Sequence, residues 1–425
     1  MSIILTNATY IDWKTLDFSK TNIIIEKGTT CKIKFQPISN TVSSGKNDLV
    51  IDCKGKLVTK SFAVGHHHVY SALARGMGAP KKNPENFLEI LKYVWWTLDK
   101  CLDKDMIEYS ALTTAIACAK AGSTFVIDHH ASPYAVKNSL EIIAKAFDKV
   151  GVSHLLCYEI SNRDGIKIAE QGLEETAEYL KKNQGLVGLH ASFTVDDKTL
   201  KKAVSLMNLF QSGIHIHVAE DLADQNHCVN KHRKRVVHRL HDFGVLSSPK
   251  TILGHCLHLN NKEREMINNS PCWVVQNMES NLNNKVGYFS GKGLGNNIML
   301  GTDGMHSDML QSAKYAFFAR QRTDNIDYPS SYQRFRNVHH YIKNNKFSGD
   351  RENNLVVLDY DTPTEINKNN FLGHFLFGIN SNHISHVISD GKLIVKNRVI
   401  QTVNEEEILK TSRKLALKLW KKMAE

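Results

Sequence analysis

The chain has 425 residues, a formal charge of +11 and 42% apolar residues, which is the make-up of a globular protein with room for more than one structural unit. No run is long and apolar enough to span a bilayer, and residues 1–10 lack the basic and apolar regions of an export signal, so no membrane partner is expected and the cytoplasm is the expected location. The positive charge is spread along the chain with only one short basic run, Lys231-His-Arg-Lys-Arg235, so no nucleic-acid partner is expected either.

Residues 3–5, 22–26, 31–35 and 49–52 are short β-rich runs separated by turn residues, an antiparallel texture. From Ser61 the texture changes. Apolar strand-like runs at 62–65, 124–128, 152–156, 186–190, 213–217, 251–255, 273–276 and 298–302 alternate with amphipathic stretches such as 105–121, 140–150, 172–182 and 198–211. Eight strands alternating with helices predict an α/β fold, a (β/α)8 barrel. Residues 354–359 and 383–395 then return to β character and are expected to rejoin the first strands. Residues 405–422 form a helix with acid at its start and Lys at its end, as the helix dipole favours. The predicted organisation is a catalytic barrel over 61–345 and a small β-sandwich with a C-terminal helix built from 1–60 and 346–425. The eight cysteines are scattered without a Cys-x-x-Cys pair and read as reduced, packed thiols.

Polar residues cluster at the ends of the predicted strands. His66 and His68 follow the first, and alternate positions of an extended chain share a face, leaving His67 turned away. Asp128, His129 and His130 end the second strand, His190 the fourth, His217 the fifth with Glu220 three residues on, and His255 the sixth; Asp303 follows the eighth. Barrel strands converge at their C-terminal ends, where chemistry occurs. One such His is most simply a packed or surface residue, but several on consecutive strand ends are hard to explain by packing.

The stretches Gly-His-His-His-Val-Tyr-Ser-Ala-Leu-Ala-Arg-Gly-Met (65–77), His-Val-Ala-Glu (217–220), Gly-His-Cys-Leu-His-Leu (254–259) and Gly-Thr-Asp-Gly (301–304) resemble the metal-binding signatures of the amidohydrolase superfamily, in its deaminase and chlorohydrolase branch. Longer phrases, among them Tyr93-Val-Trp-Trp-Thr-Leu-Asp-Lys100, Asp128-His-His-Ala-Ser-Pro133 and Asn277-Met-Glu-Ser-Asn281, are similar to the SsnA-type aminohydrolases associated with bacterial purine breakdown. The resemblance implies one divalent ion, zinc first and iron second, held by His66, His68, His217 and Asp303. The fourth strand ends in His190 without the Lys that bridges two ions in binuclear members. Such an ion lowers the pKa of a water towards ~7.

The resemblance further implies that Glu220 carries protons, that His255 holds the water or a leaving group, and that Asp303 also accepts a proton. His190 is the implied substrate contact. Tyr70, Arg75, Gln276 and His306 are candidates for the pocket wall, and His129 and His130 are read as packing. His215 is read as barrel interior. Residues 58–65 lack the usual Pro-Gly turn, and Gln276-Asn-Met278 stands where relatives carry His-Asn-Pro, which alters substrate contacts rather than ligands. The implied activity is deamination of a small, purine-derived heterocycle by a homodimer or higher homo-oligomer. Ring opening or dechlorination on the same site, or a catalytically inactive scaffold, are the alternatives.

Overall fold

The computed structural model describes residues 2–26, 32–40 and 44–425. Strands β1 (Ser2–Ile11), β2 (Phe18–Glu26), β3 (Ile33–Gln36), β4 (Leu49–Asp52) and β5 (Leu57–Lys60) come first. Cys31, where the third β run was expected to begin, lies outside the described residues. The eight following strands are β6 (Phe62–His67), β7 (Ser123–His130), β8 (Ser153–Tyr158), β9 (Val187–Ala191), β10 (Ile214–Val218), β11 (Ile252–His255), β12 (Trp273–Gln276) and β13 (Ile298–Leu300). Each coincides with one of the predicted barrel runs, offset by a residue or two at the ends.

Strands β6 to β8 and β9 to β13 pair in parallel as two sheets. Single parallel bridges join them: Leu156 to Gly185 and Ile160 to Leu189 on one side, His67 to Asp303 on the other. The eight strands therefore close into a barrel. Ala63, Phe125, Ile127, Leu155, Cys157, Ile252, Trp273, Val275 and Met299 fill its interior, and alternate residues of the same strands pack outward against the helices. Val338, Tyr341 and Ile342 of the helix Tyr328–Asn344 join the interior cluster. That helix plugs the N-terminal end of the barrel: Asn337 Nδ2 donates to Ile298 O, and Arg336 Nη1 donates to the carbonyls of Lys60 and Ser61. The opposite end is left for the site.

Strands β14 (Leu355–Leu358), β15 (Ile384–Ser389), β16 (Lys392–Lys396) and β17 (Val399–Ile400) continue the first five strands. All nine hydrogen-bond as one sheet, with β14 antiparallel to β5. A bulge between Leu5 and Ala8 lets β1 pair with β4 in its first half and β5 in its second. The sheet thereby encloses its own core of Ile3, Leu5, Ile23, Ile25, Ile51, Val58, Leu355, Val357 and Ile388. The run predicted over 383–395 splits into a hairpin because Asp390 and Gly391 both take positive φ, the signature of a tight two-residue turn. The final helix, Glu405–Ala424, lies on the barrel: Trp420 Nε1 donates to Leu73 O, and Lys418 and Lys422 pair with Asp103.

The seven described cysteines are free thiols. No helix among the described residues is long and apolar enough to cross a membrane.

Candidate metal centre

Side-chain parity along the strands decides what reaches the site. Residues 125, 127 and 129 of β7, 155 and 157 of β8, and 215 and 217 of β10 share the inward phase. On β6 the inward residue is Ala63, which would leave His66 facing out. An irregularity between Val64 and His67, where three steps on β6 match two on β7, reverses the phase. His66 and His68 therefore point into the barrel, and His67 points into the seam, its Nδ1 2.6 Å from Asp303 O. Close approach of the backbone is needed here. A Cβ on Gly301 would lie 2.4 Å from Asn277 Oδ1 and 2.9 Å from His66 Cβ. Ala219, His255 and Asp303 adopt positive φ at the strand ends, a strained conformation for residues with side chains that aims the adjoining groups across the mouth.

Each central imidazole is held by its outer nitrogen. His68 Nδ1 donates to His129 O at 2.6 Å, His217 Nδ1 to His190 O at 2.8 Å, and His255 Nδ1 to Asn281 Oδ1 at 2.7 Å. His66 is fixed by a longer chain. Cys157 Sγ sits 3.4 Å from Asp128 O, which can only accept, so the thiol donates there. Its sulfur then receives His215 Nδ1 at 3.7 Å, which leaves His215 Nε2 to accept from His66 Nδ1 at 2.9 Å. In their neutral form all four imidazoles thus turn an unprotonated Nε2 to the centre.

The result is a set of lone pairs with no donor among them. His68 Nε2 lies 3.2 Å from His217 Nε2 and 3.1 Å from Asp303 Oδ1; His66 Nε2, fully buried, has no hydrogen-bond partner. One ligand atom from each of His66, His217, His255 and Asp303 lies within 4.8 Å of the others, and His68 closes the same group from the Asp303 side. Facing acceptors repel unless a cation lies between them, so nitrogen and oxygen donors of this kind fit a divalent metal. Asp303 is the anionic pole. Its Oδ1 also lies 3.7 Å from His66 Nε2.

Glu220 stands beside the group with its Oε2 3.5 Å from His255 Nε2, which is also 3.5 Å from Asp303 Oδ2. Burial raises the Glu220 carboxyl to about 7, against the pull of His255. These residues open into a cavity also lined by Tyr70, Trp95, Trp96, Glu159, Arg163 and His190. His190 Nδ1 lies 2.7 Å from Thr194 Oγ1, whose own proton goes to Ala191 O, so His190 turns an accepting Nε2 to the cavity.

Three expected wall residues are elsewhere. Gln276 falls on the outward phase of β12, opposite to Trp273 and Val275, and accepts from Arg334 Nη1 at 3.1 Å. Arg75 is exposed beyond the turn Val69–Ala74. His306 is drawn off by Glu279, 2.6 Å from its Nε2, and its neighbours Gly304 and Met305 line the cavity instead. His130 bonds Ser132, and His129 is fully buried inside the barrel. Sequence reasoning missed Glu159 and Arg163. Glu159 is the next inward residue after Leu155 and Cys157, so parity would have found it had the strand been carried past residue 156.

Residues 62–333 match the model of the amidohydrolase family. Among curated proteins, the chain is 24% identical over 407 residues to a 5-methylthioadenosine/S-adenosylhomocysteine deaminase of Syntrophomonas wolfei subsp. wolfei, covering 88% of this chain and 90% of the relative. It is 26% identical over 378 residues to a 5'-deoxyadenosine deaminase of Methanopyrus kandleri, covering 83% and 84%. Among solved structures, an adenosine deaminase from Xanthomonas campestris with bound zinc superposes with a TM-score of 0.80 at 14% identity, covering 98% of each chain.

Proposed function

The chain belongs to the amidohydrolase family, and from that premise we propose that it is a metal-dependent hydrolase that deaminates a small purine-derived heterocycle. The observation that carries this is the convergence of four inward Nε2 atoms and the Asp303 carboxylate beside a half-buried Glu220. The names of the relatives, deaminases of adenosine derivatives, support the substrate class.

His66, His68, His217 and Asp303 are the proposed ligands, and zinc is the proposed ion. When bound, the ion supplies Lewis acidity that brings the pKa of water towards ~7. Glu220, its carboxyl raised to about 7 by burial, takes the proton of the attacking water and hands it to the ring nitrogen next to the carbon under attack. His255, its Nδ1 tied to Asn281, keeps its Nε2 within reach of Glu220 and Asp303 and holds the water in line. Asp303 accepts the second proton and passes it to the amino group, which leaves as ammonia. His190 accepts a hydrogen bond from the substrate, and Tyr70 closes one side. The protein is proposed to act in the cytoplasm as a homodimer.

The test is ammonia release from a panel of aminopurines and their nucleosides by metal-loaded protein. Wild type should release ammonia from at least one, and Glu220→Gln should slow that release by about 10²-fold or more with the metal retained. Release from none of the panel, or an unimpaired Glu220→Gln variant, would contradict the reading.

A further inference from the structure

Arg163 is the one guanidinium or ammonium group among the described residues that line the cavity, and it pairs with three carboxylates. Its Nη2 pairs with Asp99 Oδ2, its Nε with Asp164 Oδ2 at 3.0 Å, and its Nη1 with Glu159 Oε1 at 3.5 Å. Its guanidinium carbon lies 5.3 Å from the centre of the Trp96 ring. One guanidinium thus faces three carboxylates, of which Asp164 is also held by Lys100 Nζ at 2.8 Å.

Glu159 has acceptor capacity left over. Its Oε2 is 3.2 Å from His129 Nδ1. His129 Nε2 faces the carbonyls of Leu189 and His215 at 3.2 and 3.1 Å, so that nitrogen carries a proton, and the proton on the other side is shared with Glu159. A carboxylate has about four acceptor directions, and His129 and Arg163 occupy two. His190 adds the accepting Nε2 described above. This wall therefore offers acceptors and no free donor cation, between the aromatic faces of Tyr70, Trp95 and Trp96.

We propose that Glu159 and His190 select the substrate by charge: the cavity takes a heterocycle that presents an N–H, O–H or cationic group to this wall, and excludes one that carries a phosphate or carboxylate. An anion there would be stripped of water beside the Glu159 carboxylate and the accepting Nε2 of His190. The inference rests on the deaminase reading for the heterocycle, not for its charge.

Trp95 and Trp96 give a binding signal that needs no turnover. Metal-loaded protein would be titrated with adenine, guanine and adenosine, and with adenosine and guanosine monophosphates, following fluorescence quenching and ammonia together. The tightest uncharged ligand should bind at least about tenfold more tightly than either nucleotide. Glu159→Gln, with metal content unchanged, should narrow that gap to within about threefold. Equal binding of charged and uncharged ligands with ammonia released would overturn the charge selection alone. A charge gap without ammonia would uphold it and overturn the deaminase reading, and binding of none would overturn both. A gap unchanged in Glu159→Gln would overturn the assignment to Glu159.

Discussion

Cys157, two side chains removed from the centre, settles which nitrogen of His66 carries its proton. The order runs from Cys157 to His215 to His66, and it starts from a backbone carbonyl that can only accept. Outer contacts of this kind typically change metal affinity by about 10–100-fold. His215→Phe keeps the ring volume and removes the acceptor, so it should weaken metal binding by roughly that factor. Cys157→Ser, whose hydroxyl donates and accepts like the thiol, should bind metal nearly as wild type. Competition against a chromophoric chelator would measure both. Wild-type affinity in a folded His215→Phe variant would show that the chain of hydrogen bonds is incidental.

At the scale of the element, much was legible. The barrel strands announced themselves as apolar runs, and polar residues at or just past their ends, His66, His68, His190, His217, His255 and Asp303, converge at one mouth. What stayed hidden depends on phase. Gln276 ends its strand as plainly as His217 does, yet the pleat turns it outward to Arg334. His66 reaches the centre only because of an irregularity that no local pattern betrays. Arg163 follows a strand whose end was set too early, and its partner Asp99 lies on another helix altogether, a contact of 64 residues in sequence. The last helix was legible too, and its docking adds a pH dependence. Burial pushes the Asp103 carboxyl up, but the ammonium groups of Lys418 and Lys422 and the Met106 N–H outweigh this and hold it below its ordinary 3.8. Its contribution is therefore complete above that value and is lost as pH falls through the lower, folded one. Denaturant titrations from pH 6 down to pH 3 should show wild type losing more stability than Asp103→Asn; parallel losses would remove Asp103 as an anchor.

The whole molecule divides its labour between the two ends of the barrel. One end is stoppered by the helix Tyr328–Asn344 and tied to the nine-stranded sheet, where Lys60, Asp350 and His339 form a buried ionic cluster. That end is built for rigidity. The other collects strained backbone, unprotonated imidazoles and a carboxylate near neutrality, each costly in isolation and intelligible together around a cation. The central claim is that this cation is required for deamination. It is tested most directly by measuring ammonia release against metal bound per chain, from chelator-stripped protein titrated with zinc. The account predicts no release without metal and a rise that levels off at about one ion per chain. Stripped protein releasing ammonia at the full rate, or a rise that continues past a single ion, would contradict it.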